Sequence, residues 1–122
     1  MLSLAANMRI FVASAPVNMR LSFDSLAGLV HKQIGRDPMN GDLYLFFNKR
    51  ADSVKILVWD RHGWSLLYKR LEKGTFRPPD ATELEANSME IENARLAMIL
   101  EGIDVHGAKV RQRWLAKKSE SV

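Results

Sequence analysis

A chain of 122 residues without cysteine is long enough for one folded domain but excludes a disulfide framework, a thiolate metal site and a cysteine nucleophile. Its 47% hydrophobic and 26% charged residues are typical of a globular protein, and no segment approaches the ~18 apolar residues that span a bilayer. We therefore expect no membrane segment, and the lack of cysteine favours the reducing cytoplasm.

The net charge of +4 is distributed unevenly along the chain. Residues 49–79 contain eight cationic and three acidic side chains, residues 80–104 one cationic and seven acidic, and residues 105–122 five cationic and one acidic. Two basic blocks separated by an acidic one suit a surface that faces a polyanion. Basic and acidic faces that neutralise each other within one fold would give the same counts, so charge alone leaves both interpretations open.

The first half of the chain predicts a strand, a helix and a second strand. Residues 8–14 hold a short β-branched and aromatic run that is typical of a strand. Across residues 22–34 apolar residues recur at helical spacing, with Ser22 as N-cap and Gly35 as the closing residue. Residues 43–47 follow a turn and predict a strand that is at least partly covered on both faces.

The centre of the chain predicts an antiparallel hairpin. Residues 54–59 and 64–70 alternate in the manner of strands, and residues 60–63 make a tight turn between them. Because side chains alternate across a sheet, we expect Lys55 and Lys69 to lie together on an exposed face.

The last third predicts a short edge strand at residues 83–87 and a second helix at residues 90–101. Ser88 is the expected N-cap of this helix, and Gly102 the residue that closes it. Residues 105–122 form a basic tail, interpreted as a short helix or a disordered arm.

Together these elements predict one α+β domain over residues 1–104, followed by the basic C-terminal tail. A mainly antiparallel sheet of four to five strands, arranged as a meander or hairpin, is expected to pack against two helices.

The sequence contains no recognisable catalytic or metal-binding pattern. His31, His62 and His106 fall on the helix, the hairpin turn and the tail, without the spacing of zinc ligands. Asp60 and Glu72 lie among many cations and are interpreted as ion-pair partners rather than an acid/base couple. We expect no enzyme, no metal and no cofactor; a cryptic metal-dependent nuclease would need carboxylates that converge on a metal ion.

Nucleic-acid binding is the favoured function, because phosphates bind surface Lys and Arg and unpaired bases stack on flat aromatic rings. For each tryptophan, core packing is favoured over stacking. The candidate stacking residues are Trp59, Trp64, Tyr68 and Phe76. The candidate phosphate-binding residues of the central block are Lys49, Arg50, Lys55, Lys69, Arg70, Lys73 and Arg77.

Two blocks of sequence carry a family resemblance. The first holds Asn18-Met19-Arg20 and Phe23-Asp24; the second runs from Lys55-Ile56-Leu57 through Trp59-Asp60 and Gly63 to Tyr68-Lys69-Arg70-Leu71-Glu72-Lys73-Gly74, with Phe76 beyond it. Over residues 8–103 the chain resembles the TnpB-type (Orf2-like) accessory protein of the insertion-sequence-66 family of bacterial mobile elements. Asn18 stands where that family commonly has Asp, and Leu21-Ser22 where it commonly has a basic residue and Gly.

The resemblance implies an accessory protein for transposition, encoded beside a separate transposase and without an established catalytic activity of its own. It adds Arg20 to the candidate nucleic-acid-binding residues. It also brings forward the family-motif residues Trp59, Asp60, Gly63, Tyr68, Glu72, Gly74 and Phe76.

The implied partners are element DNA and the transposase of the same element. Our hypothesis is that one face of the hairpin presents Lys55, Lys69 and Arg70 to DNA phosphates, while the acidic segment of residues 80–104 contributes a helix for protein contacts. The alternative is a protein-interaction adaptor of the transposition complex that has no direct DNA contact.

Overall fold

The computed structural model describes residues 7–80, 86–104 and 109–110. Within these residues one sheet contains β1 (Ile10–Ala13), β2 (Leu43–Phe47), β3 (Ser53–Asp60), β4 (Gly63–Arg70) and β5 (Ser88–Ile91). The helices are α1 (Phe23–Leu29), which continues into a π-helical turn (Val30–Ile34), and α2 (Asn93–Glu101). Two short strands, β6 (Ile103–Asp104) and β7 (Lys109–Val110), pair with each other.

The strand order across the sheet is β4-β3-β2-β1-β5. Strands β2, β3 and β4 form an antiparallel meander, and β5 pairs antiparallel with β1. Strands β1 and β2 are parallel, because α1 carries the chain back between them. The expected α+β class, with a mostly antiparallel sheet and two helices, is therefore confirmed.

The central strands of the sheet are buried on both faces, so the domain has two hydrophobic layers. Strand β2 supplies both: Leu45 and Phe47 belong to the layer that contains Leu96 and Ile99 of α2, whereas Tyr44 and Phe46 belong to the layer that contains Leu26 of α1. All five residues of β2 are buried, as the sequence predicted.

Both ends of the first helix lie where the sequence predicted them. Ser22 has an extended backbone, and its N–H donates to Ser25 Oγ at 2.9 Å. Gly35 closes the π-helical turn with φ at 76°, and its N–H donates to the Val30 carbonyl at 2.9 Å. This left-handed conformation is one that glycine adopts without the strain of a Cβ atom.

The second helix begins later than predicted, and the predicted edge strand at residues 83–87 falls largely outside the described residues. Residues 81–85 lie outside the described chain, residues 86–87 form a bend, and β5 begins only at Ser88. Ile91 pairs with Ile10 of β1, so Glu92, not Ser88, is the N-cap of α2. By its position in the sequence, Ile91 fits a helix face and a strand equally well. It lies in a strand because the edge of β1 offers backbone groups for β5 to pair with. Gly102 closes α2 as predicted, with φ at 79°.

Most of the expected basic tail lies outside the described residues. Its described part is β7, a two-residue strand paired with β6, so the domain boundary drawn at residue 104 stays a prediction. Within the described chain no helix is long and apolar enough to cross a membrane.

Candidate nucleic-acid interface

Three connecting segments meet at one end of the sheet, where β1, β2 and β4 end and β3 begins. The Val17 N–H donates to the Phe47 carbonyl at 2.9 Å, which joins the β1–α1 loop to the end of β2. The Phe76 N–H donates to the Ala51 carbonyl at 2.7 Å, which joins the segment after β4 to the β2–β3 loop. These backbone hydrogen bonds hold the three segments side by side.

Seven of the eight predicted cations lie on these segments or at the adjoining end of β4, and all seven are exposed. We call this region the basic end. It consists of Arg20 in the β1–α1 loop, Lys49 and Arg50 in the β2–β3 loop, Lys69 and Arg70 at the end of β4, and Lys73 and Arg77 in the segment after β4.

Lys55, the eighth predicted cation, is not available to bind a phosphate. Its side chain is only 7% exposed, and its Nζ donates to the Leu21 carbonyl at 2.6 Å. The same Nζ lies 4.9 Å from the centroid of the Tyr68 ring, where a cation is attracted by the negative face of the ring. Lys55 therefore ties the β1–α1 loop to the sheet.

The expectation that Lys55 and Lys69 share one exposed face is wrong. Lys55 pairs with Tyr68, whereas Lys69 pairs with Val54, and side chains of paired residues lie on the same side of a sheet. Lys55 and Lys69 therefore lie on opposite faces, and the hypothesis of a single cationic hairpin face fails. The cations gather at the end of the sheet instead.

The β2–β3 loop is built around the side chain of Asn48. Its Nδ2 donates to Asp52 Oδ1 at 2.6 Å, and its Oδ1 accepts the Ser53 N–H at 3.1 Å. The Asn48 hydrogen bond holds the pKa of Asp52 below its usual range against the opposing effect of desolvation, with further help from Ser53 and Arg50. Asp52 is therefore ionised at neutral pH, and Lys49 and Arg50 occupy the tip of a well-ordered loop.

The β1–α1 loop is ordered by a similar turn. Asn18 Oδ1 accepts the Arg20 N–H at 2.8 Å, a hydrogen bond that an Asp side chain at this position would also accept. The departure from the family pattern at Asn18 therefore preserves the turn that positions Arg20.

A pocket of about 180 Å³ opens at the basic end. Pro16, Phe47 and Pro79 form part of its wall, and Lys49 also lines it.

The described residues offer no group of three or more His, Cys, Asp or Glu side chains that could hold a metal ion. His31 and His62 are both exposed, and His106 lies outside the described residues.

Residues 8–110 match the family described as IS66 Orf2 like protein. The chain belongs to the IS66 Orf2-like family. Two proteins of Sinorhizobium fredii (strain NBRC 101917 / NGR234), described as uncharacterized proteins y4hO and y4jC, are 34% and 30% identical to it over 104 residues. These alignments cover 85% of this chain and 88% and 86% of the two relatives. No solved structure matches the chain, and membership of the Orf2-like family points to an accessory role in transposition.

Three of the predicted family-motif residues lie at the β3–β4 turn, at the opposite end of β3 from the basic end. Asp60 and Gly63 pair across this turn. Trp59 packs edge-to-face on Trp64, with 4.9 Å between ring centroids and 74° between planes. Both indoles are half-buried, so they stabilise the hairpin rather than project as stacking surfaces.

The other motif residues lie at or near the basic end, with different exposures. Phe76 is 2% exposed and packs edge-to-face on Phe47 at 5.9 Å, so its predicted role as a base-stacking residue is wrong. Gly74 turns the segment with φ at 79°, Glu72 is exposed, and Tyr68 is 50% exposed.

A polar network at the far end of β1 and β2 was not predicted. Arg9 forms two hydrogen bonds to the Glu90 carboxylate at 2.7 and 2.9 Å, and Arg36 Nη2 donates to Asp42 Oδ2 at 2.9 Å. The Arg36 guanidinium also lies 4.1 Å from the centroid of the Phe11 ring. Arg9 and Glu90 are 81 positions apart in the chain, so no local sequence pattern predicts that they pair.

Proposed function

We propose that this IS66 Orf2-like protein binds the DNA of its own element through the basic end and assists the transposase without catalysing a reaction itself. The observation that carries the proposal is the gathering of seven exposed cations at one end of the sheet. Phosphate contacts from Lys and Arg supply most of the affinity of sequence-independent DNA binding.

The loops that carry these cations are held in place by other contacts, which favours a binding surface over a set of cations that only contact solvent. Arg20, Lys49 and Arg50 lie on loops that side-chain hydrogen bonds hold in place, and the Phe76 ring fixes the segment that carries Lys73. Ordered loops lose less conformational entropy when they contact a phosphate.

The transposase of the same element is the second proposed partner, as the family role suggests. Residues 80–104 carry seven acidic side chains and one cationic one, a charge that repels DNA and suits contact with a protein partner. An adaptor that contacts only the transposase is the competing function.

A pull-down of the tagged protein from cells that carry the element, with and without nuclease treatment, separates the two. Direct DNA binding predicts element DNA in the untreated sample and a purified protein that shifts free duplex. Transposase that co-purifies equally after nuclease treatment, from a protein that shifts no free duplex, would establish the adaptor function instead.

A triple variant tests which surface binds. We expect Lys49→Ala/Arg50→Ala/Lys73→Ala to lower duplex affinity by at least about tenfold at low salt, because it removes three phosphate contacts. Affinity is measured by fluorescence anisotropy, and circular dichroism checks the fold. A folded triple variant with wild-type affinity would show that the basic end does not bind the duplex.

A further inference from the structure

Two aromatic rings are exposed next to the basic end. Of the aromatic residues that the structure describes, Tyr68 at 50% and Phe23 at 41% are the most exposed. The remaining described aromatics are buried or half-buried. Tyr68 is on β4, and Phe23 is the first residue of α1.

Lys55 links Tyr68 to the backbone that leads into Phe23. Its Nζ contacts both the Leu21 carbonyl, at 2.6 Å, and the Tyr68 ring, at 4.9 Å. Tyr68 therefore lies near Leu21, which precedes Phe23 by two residues, and α1 contacts β4.

Two exposed cations of the basic end flank the rings. Arg70 is two residues beyond Tyr68 on β4 and so projects from the same face of the sheet. Arg20 lies in the turn just before Leu21, where the Asn18 side chain holds its backbone N–H. Exposed rings between cations form the arrangement that binds unpaired nucleic acid: bases stack on the rings and cations neutralise the phosphates.

We propose that Phe23 and Tyr68 stack on unpaired bases of DNA while Arg20 and Arg70 bind the adjoining phosphates, so that this surface prefers single-stranded over duplex DNA. The inference rests on the proposed DNA binding and adds the form of DNA recognised. In a duplex the base faces are already stacked on one another, so only unpaired bases can use the rings.

The test compares two fluorescent probes by anisotropy: an oligothymidylate and a hairpin duplex with the same number of phosphates. The wild-type protein is expected to bind the oligothymidylate more tightly. Phe23→Ala and Tyr68→Ala are each expected to weaken that binding by at least about fivefold, the lower bound for loss of a base–aromatic stack, and to leave duplex binding unchanged.

Three further variants sharpen the comparison. Tyr68→Phe keeps the ring and should bind like wild type. Tyr68→Leu keeps an apolar side chain over Lys55 without a ring face and should bind as weakly as Tyr68→Ala. Leu67→Ala is the matched control, because Leu67 is 42% exposed on the same strand but on the opposite face, and it should change neither affinity.

The possible failures are distinguishable. Equal affinity for both probes, with no loss in the ring variants, would overturn the stacking surface and leave the proposed DNA binding intact. Equal losses for both probes in Tyr68→Ala would also overturn it, because the ring would then act through the fold or the phosphate contacts. A protein that binds neither probe would overturn the proposed function as well.

Discussion

Lys55 has its ammonium enclosed beneath the start of α1, where the Leu21 carbonyl accepts its hydrogen bond and the Tyr68 ring covers it. Burial of a charged amine is costly unless polar contacts compensate for the lost water. The contacts that do so connect β3, β4 and the β1–α1 loop, so this residue positions Arg20 rather than binding DNA itself.

Replacing Lys55 should loosen that loop. We expect Lys55→Met, which keeps the length of the side chain, to lower the free energy of unfolding by about 1–2 kcal/mol, because the Leu21 carbonyl loses its donor. Urea unfolding measures the stability, and hydrogen exchange of residues 18–23 reports the loop. Lys69→Met is the matched control at an exposed position of β4, with an expected change within about 0.5 kcal/mol. Equal effects of the two variants would contradict the role of Lys55 in holding the loop.

Acid should weaken the Arg9–Glu90 ion pair at the far end of the sheet. The Arg9 side-chain hydrogen bonds hold the pKa of Glu90 below its usual value, although desolvation opposes them. A carboxyl whose pKa is lower in the folded state stabilises the fold above its unfolded pKa, about 4.3 for Glu, and loses that contribution as the pH falls through the folded value.

Glu90→Gln should therefore reduce the loss of stability between about pH 5 and pH 3. The effect is expected to be small, because both side chains are about half exposed, at 51% and 45%, and solvent screens the pair. Urea midpoints across this pH range measure it. An identical pH profile for the wild type and the variant would show that the ion pair does not contribute.

At the scale of single elements, the first helix shows two glycines with opposite requirements. Gly28 lies inside α1, and a Cβ atom there would meet nothing within 4 Å. Gly35 also has open space around it, but its φ of 76° is a conformation that L side chains rarely adopt. A Cβ atom would have room at both glycines, so only the backbone φ angle distinguishes the two positions.

Substitution by alanine should therefore have opposite signs at the two glycines. Gly28→Ala is expected to stabilise the protein by about 0.5–1 kcal/mol, because alanine has less backbone freedom to lose in a helix. Gly35→Ala is expected to destabilise it by about 1 kcal/mol. Thermal and urea unfolding measure both changes; destabilisation by Gly28→Ala would contradict the expectation that a Cβ atom fits at this position without strain.

The segment after β4 depends on one ring. We expect Phe76→Ala to lower the free energy of unfolding by about 3–5 kcal/mol, because the ring is buried and leaves a cavity. Phe76→Leu should cost less, since it refills part of that volume. Urea unfolding checks both, and a cost below 1 kcal/mol for the alanine variant would show that this segment does not need the ring.

At the scale of the whole molecule, location rather than net charge should govern DNA binding. Arg50 and Arg61 are exposed residues in the turns at opposite ends of β3, and only Arg50 belongs to the basic end. The chain carries a net charge of +4, and reversal of either arginine to Glu lowers it to +2. Because the two variants change the net charge equally, any difference in their DNA affinity reports the position of the arginine.

We expect Arg50→Glu to weaken duplex binding and to reduce the steepness of the log–log salt dependence by about 0.9, the value of one phosphate contact. Arg61→Glu should leave both nearly unchanged. Anisotropy titrations at several salt concentrations measure the slopes. Equal effects of the two reversals would show that binding follows net charge and not the basic end.

Local patterns in the sequence determined the first helix with its two ends, the fully buried strand β2, the β2–β3–β4 meander and the α+β class, since capping, periodicity and turn chemistry depend on neighbouring residues. The family blocks determined membership of the Orf2-like family. Tertiary structure alone decided that β5 pairs with β1, that Lys55 is enclosed while Lys69 is exposed, and that Phe76 fills the core. Each of these depends on strand register or on contacts between distant residues, and the same strand pairing sets the loops of the basic end side by side.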